Sequence, residues 1–228
     1  MRSDSSRHPR PDAHRRLLSL LVAFAAAGCG DGPSRIVDPE QGTFALEVRV
    51  HLLSSAFAPL ATTLTDSEVR SIFDRTNELW SPAAIEWRIE SIIREEAAGE
   101  EGFAAALLGQ AGFDAIAGVV PRERLSEGEW DVYLIRDLGG IAGGIYFPDI
   151  PAVLGAELDP SGQRDLTGSI GRILAHELGH SLSLHHVPCT AAGNLMAPGC
   201  PSKDRTRLTA SQIEAARAQA STGNPYRG

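Results

Sequence analysis

The chain has 228 residues with 21 Lys+Arg against 29 Asp+Glu, a net charge of -8, and 43% hydrophobic content. One domain of ordinary soluble composition is the expectation. After Cys29 the basic residues are arginines and a single Lys203, so no basic stripe exists to neutralise phosphates and nucleic-acid binding is excluded as a reading.

Arg15-Arg16 precedes Leu17 to Ala27, a run without charge that ends at Gly28-Cys29. A bilayer-spanning helix needs roughly 20 apolar residues, so this shorter run reads as a secretory signal over residues 1–28. Ala26-Ala27-Gly28 before Cys29 resembles a bacterial lipoprotein signal, with Ala26 where that pattern has Leu. The resemblance implies an exported chain lipidated at Cys29 and held on a bacterial envelope membrane by that anchor alone; cleavage within the alanines would instead release a secreted protein. With Cys29 taken by lipid, Cys189 and Cys200 remain, and an oxidising compartment favours their disulfide over free or zinc-bound thiols.

Residues 29–42 carry Gly, Pro and Asp without apolar period and read as a flexible tether, so the domain is expected to span 43–228. Phe44, Leu46, Val48 and Val50 alternate with polar neighbours, as in a half-buried strand. Thr65-Asp66-Ser67-Glu68 is a capping box that opens a helix toward Trp80, closed by Pro82. A second alternating strand follows over 85–92. Residues 95–118 have loose helical spacing without a clear type, 131–135 and 152–156 read as strands, and the glycine-rich stretch 139–147 reads as a strand or sheet edge. A helical period runs from Leu166 to about Ser183, and Thr209 to Gln212 caps a last helix through Ala220. Strands first and helices late predict an α+β fold in one domain.

Four of the five histidines after Cys29 fall in His176-Glu177-Leu178-Gly179-His180-Ser181-Leu182-Ser183-Leu184-His185-His186. Residues four apart share a helix face, so His176 and His180 can hold one metal ion with Glu177 beside it. This is the H-E-x-x-H pattern. A catalytic zinc takes three protein ligands and leaves a position for water. His186 is placed as the third; His185, Asp204 and Glu214 are the alternatives. Asp149, Glu157, Asp159 and Asp165 lack the loop spacing of a calcium site, so calcium is unsupported. His51, far away in a strand, needs no function.

The run resembles the extended signature of the metzincin clan of zinc peptidases, H-E-x-x-H-x-x-G-x-x-H followed by a methionine turn. His176, Glu177, His180 and His186 match by position, and Asn194-Leu195-Met196 matches the turn. Ser183 departs from the family glycine and must adopt a left-handed backbone at a cost of roughly 1–2 kcal/mol. No tyrosine follows Met196 closely, which disfavours a tyrosine-assisted variant.

The resemblance implies a matrixin- or reprolysin-like catalytic domain of zincin type. Its features would be a twisted mixed sheet, an active-site helix and a C-terminal helix after the methionine turn. It implies one catalytic Zn2+ and an endopeptidase in which Glu177 is general base to a water activated by the zinc. A protein or peptide substrate would lie along an edge strand at Gly143, Gly144, Ile145 and Tyr146, and residues 197–201 would wall the pocket. The competing class is a catalytically inactive, lipid-anchored zinc-binding protein, for which Ser183 is the argument.

Overall fold

The computed structural model describes residues 36–38, 42–191, 193–198 and 205–228. The expected signal peptide, the lipidation site Cys29, and Cys200 with its pairing to Cys189 lie outside the described residues.

The chain starts with a short strand, β1 (Ile36–Asp38), antiparallel to the first residues of β2 (Thr43–Ser54). Of the segment 29–42, expected as a tether, residues 36–38 and 42 are described: the first three pair with β2, and Gly42 sits at φ 63° just before it. Thr65 then caps α1 (Asp66–Trp80), its hydroxyl accepting from the Glu68 N–H while Glu68 returns to the Thr65 N–H. A crossover helix of this kind brings the next strand back parallel. It is β3 (Ile85–Glu96), which pairs with β2 along the whole of its length and runs four residues past the expected end.

The ambiguous segment resolves into two short helices, α2 (Glu100–Leu107) and α3 (Phe113–Ala117). They are followed by β4 (Trp130–Ile135), β5 (Gly144–Phe147) and β6 (Ala152–Ala156). One π-helical turn, Leu166–Ile170, leads into α4 (Gly171–Ser181), and α5 (Ala210–Ala220) ends the fold. The sheet order is β3-β2-β4-β6-β5, with β1 added on β2. β2, β3, β4 and β6 are parallel, and β5 is an antiparallel edge.

Both faces of the sheet are covered, which is why β4 is buried at every position and reads as a continuous apolar run. Val132 and Leu134 face the core shared with α1 and α4, whereas Tyr133 and Ile135 face the core shared with α2 and α3. On the first face Trp80, Trp87 and Trp130 stand edge to face, with centroids 6.2 and 5.7 Å apart. Two of their indole N–H groups reach α4: Trp80 donates to the Ala175 carbonyl at 3.2 Å and Trp130 to the Ser181 hydroxyl at 2.9 Å.

α4 approaches α1 closely because Gly171, Ala175 and Gly179 recur every four residues along one of its sides. A Cβ on Gly171 would stand 2.8 Å from the Arg75 Cβ, and one on Gly179 would stand 2.6 Å from the Met196 sulfur. With that side given to packing, the neighbouring face is free to carry chemistry.

Candidate metal centre

His176 and His180 lie one turn apart on α4. The His176 Nδ1 is 2.7 Å from the Leu195 carbonyl, and the His180 Nδ1 is 2.7 Å from the Leu184 carbonyl. A carbonyl only accepts, so both Nδ1 atoms carry hydrogen and both Nε2 atoms present lone pairs. His186 brings its own Nε2 to 3.1 Å from that of His176 and 3.0 Å from that of His180; the latter two are 3.2 Å apart. Three neutral imidazole lone pairs at this distance repel one another unless a cation sits among them. Among the described residues these histidines form the group that could hold a metal ion. A triangle of imidazole nitrogens fits a zinc ion with Zn–N of about 2.0–2.1 Å and leaves one side open.

Burial keeps the donors unprotonated. It pushes His176 down to about 4, against the opposing effect of the Leu195 carbonyl, and it lowers His180 and His186 as well. Ligands must be deprotonated to bind, so the protein has lowered that cost in advance.

The third histidine of the group, His186, arrives through the turn that ends α4. The Leu184 N–H donates to the Gly179 carbonyl and the Ser183 N–H to the His180 carbonyl, both at 3.0 Å, while Ser183 sits at φ 63°. This is a Schellman motif with serine in its left-handed position. The same turn aims the Leu184 carbonyl at His180, so one local structure both redirects the chain and sets a tautomer. Below the ligands, Met196 is fully buried against Gly179. Its loop is held by Asn194, whose side-chain oxygen accepts from the Met196 N–H at 2.8 Å and whose amide pairs with Gln212 of α5.

Glu177 lies beside the triangle, 8% exposed. Burial pushes its carboxyl up to about 8, and the Tyr146 backbone N–H, donating to it, works in the opposite direction. A group titrating near neutrality is suited to taking a proton and giving it back. The N–H comes from the edge strand β5, which can lie this close because of two glycines. A Cβ on Gly144 would be 2.7 Å from the Glu177 Cγ, and one on Gly143 would be 2.4 Å from the Ile173 Cδ1. Of the expected edge residues, Gly143 and Gly144 are thus brought to the centre, Tyr146 reaches Glu177 through its backbone N–H while its hydroxyl donates to the Tyr226 carbonyl, and Ile145 is buried in the core on the other face of the sheet.

The alternative third ligands separate. His185 turns away toward Tyr226, 6.4 Å between ring centroids, Glu214 is exposed on α5, and Asp204 lies outside the described residues. Three of the four acidic residues considered for calcium are engaged by protein donors, and Asp149 is exposed. Glu157 accepts from Thr62, Thr63 and Arg164, Asp159 holds the turn at Ser161 and Gln163, and Asp165 caps Gly168 and Ser169. His51 is not idle surface: it is buried on the other face of the sheet, stacked on Tyr133 and placed between Glu95 at 2.7 Å and Asp131 at 3.1 Å. The carbonyls of Leu184 and Leu195 and the N–H of Tyr146 escaped the sequence reading because backbone groups leave no residue-type signal.

No protein-family model and no curated protein matches the chain. Among solved structures it resembles archaemetzincin from Methanopyrus kandleri, with a TM-score of 0.54, 18% identity, and 78% of this chain and 96% of that one covered. Metalloproteinase-II from Bacteroides fragilis has a TM-score of 0.44 at 14% identity, covering 77% and 53% of the two chains. A zinc-dependent peptidase from Methanocorpusculum labreanum has 0.36 at 12%, covering 76% and 99%. The first likeness shows a shared fold, a mixed α+β architecture.

Proposed function

We propose that this chain is a zinc endopeptidase of the metzincin type. The observation that carries the reading is the convergence of three imidazole Nε2 atoms with the Glu177 carboxyl at their side, on a fold shared with archaemetzincin. His176, His180 and His186 would hold the ion and Met196 would be the methionine of the turn beneath it. When bound, zinc supplies Lewis acidity that polarises a peptide carbonyl and acidifies a water molecule.

The protein's own residues do the rest. Glu177 takes a proton from water and passes it to the departing amine, aided by a carboxyl that titrates near neutrality. The peptide pairs in extended form with the outer edge of β5, whose glycines keep its backbone accessible near Glu177. The competing reading, an inactive zinc-binding protein, gains nothing from Ser183, because that residue adopts the left-handed turn expected of a glycine. The remaining parts of the proposal are a lipid-anchored, exported location through Cys29 and a Cys189–Cys200 disulfide beside the pocket.

The deciding experiment is hydrolysis of a quenched peptide library by the purified protein, with and without chelator, beside Glu177→Gln. Chelator-sensitive cleavage that falls by about 10²- to 10⁴-fold in the variant, at unchanged zinc content, is expected. Undiminished turnover by Glu177→Gln would remove Glu177 from the role.

A further inference from the structure

A cavity of about 550 Å³ opens beside the metal ligands. His176, Glu177 and His186 line it, as do Gly143 and Gly144 at the start of β5. Its walls include Ile141, Pro160 and Ile173, yet two arginines, Arg172 and Arg205, also line it. Arg172 lies one turn before His176 on α4, so its Cβ is about 5–6 Å from that of a metal ligand.

Neither guanidinium has a carboxylate partner among the described residues, whereas Arg49, Arg136 and Arg164 each have one. Arg205 spends one N–H on the Ala197 carbonyl at 2.6 Å, and its Nε is buried with no partner. The carboxylates whose charge acts on Arg172 are Asp159 and Asp165. Both are engaged in capping turns and neither pairs with it. Burial and the charge of Arg205 together pull Arg172 down from its ordinary value, and burial lowers Arg205. Two facing cations with unused donors, partly withdrawn from water, are an unfavourable arrangement that an entering anion relieves. A planar carboxylate matches the guanidinium fork and gains charge-assisted hydrogen bonds.

We propose that Arg172 and Arg205 make this cavity a receptor for a peptide carboxylate, supplied by a glutamate or aspartate side chain next to the cleaved bond or by the peptide's own C-terminus. The inference rests on the peptidase reading for what delivers the carboxylate. It makes these arginines the residues that set substrate preference.

The test compares quenched peptides that differ by Glu against Gln at each position near the scissile bond, with blocked termini, and the Gln series again with a free C-terminal carboxylate. With zinc-loaded protein, kcat/KM is expected to favour a carboxylate by about tenfold or more at low salt, and the ratio is expected to shrink at high salt. Preference within the blocked Glu series identifies the side chain as the source; preference for the unblocked Gln series identifies the chain end. Arg172→Gln, which loses no hydrogen-bond or ion-pair partner among the described residues, is expected to bring the ratio close to one, and Arg172→Lys to retain part of it. Equal kcat/KM for all series overturns the receptor and leaves the peptidase standing. Cleavage of no peptide overturns the peptidase instead. Calorimetric binding of the same peptides to Glu177→Gln protein then decides the receptor: tighter binding of the carboxylate peptides, lost on adding Arg172→Gln, supports it, and equal binding overturns it.

Discussion

Ser183 carries the largest local compromise in the site. Its φ of 63° places a non-glycine residue where α4 must turn so that His186 can reach the other ligands. Glycine there would relieve roughly 1–2 kcal/mol of backbone strain but add about 0.5–1 kcal/mol of unfolded-state entropy. Ser183→Gly is therefore expected to stabilise by about 0.5–1 kcal/mol and to raise the melting temperature by about 2 °C without loss of zinc. A lower melting temperature would mean that the hydroxyl contributes more than the strain removes. Gly144 is the opposite case, since an added methyl meets the Glu177 Cγ at 2.7 Å and the Leu154 carbonyl oxygen at 3.3 Å. Displacing a reacting carboxylate by about 1 Å costs on the order of 10²-fold in rate. Gly144→Ala should lose at least tenfold in kcat/KM with zinc content unchanged; full activity would show that Glu177 has room to move.

At the scale of elements, α4, which bears His176 and His180, is positioned by packing on one side and by hydrogen bonds at its end. Gly171 admits α1, with Arg75 and the Ile72 carbonyl inside the space that a Cβ would fill, and the Thr76 hydroxyl donates to the Gly171 carbonyl at 3.1 Å. Gly171→Ala gains up to about 1 kcal/mol of helix propensity but overpacks the contact by roughly 1–3 kcal/mol. A net loss of about 1 kcal/mol is expected, read as a lower melting temperature; an increase would show that α1 and α4 can separate at little cost. The C-terminal helix serves the site from a distance. Gln212 both completes the capping box of α5 and pairs with Asn194, which holds the Met196 loop. The capping box was legible from Thr209 and Gln212, but the pairing across 18 residues was not.

Across the molecule, Glu157 ties together segments that are distant in sequence. From the end of β6 it accepts from Thr62 and Thr63, which precede α1, and from Arg164, which precedes α4 and also bridges to Glu68 at 2.8 Å. Burial alone would raise this carboxyl, but the hydrogen bonds from Thr63, Arg164 and Thr62 outweigh it and hold it below the ordinary value. A carboxyl lowered by folding contributes stability that is complete above its unfolded pKa of about 4.3 and is lost as pH falls through the folded value. Glu157→Gln is expected to cost about 2 kcal/mol at pH 7 and to flatten the acid limb of the stability curve below pH 4.5. Denaturant melts from pH 3 to 7 would show this; parallel curves for the two proteins would place acid sensitivity elsewhere.

The grouping of His176, His180 and His186, the helix that bears the first two, both capping boxes and the alternation of β2 and β3 follow from the sequence, because each depends on residue types at short, fixed spacing. The four-residue recurrence of Gly171, Ala175 and Gly179 is present there too, although only α1 and Met196 give it meaning. What the tertiary structure alone decided is everything that depends on non-local contact. It brought the Tyr146 N–H to Glu177. It also buried His51 among carboxylates and faced Arg172 and Arg205 into one cavity. Sequence spacing predicts which side chains share a helix face, but two residues more than thirty apart meet only where the sheet order and helix packing bring their elements together.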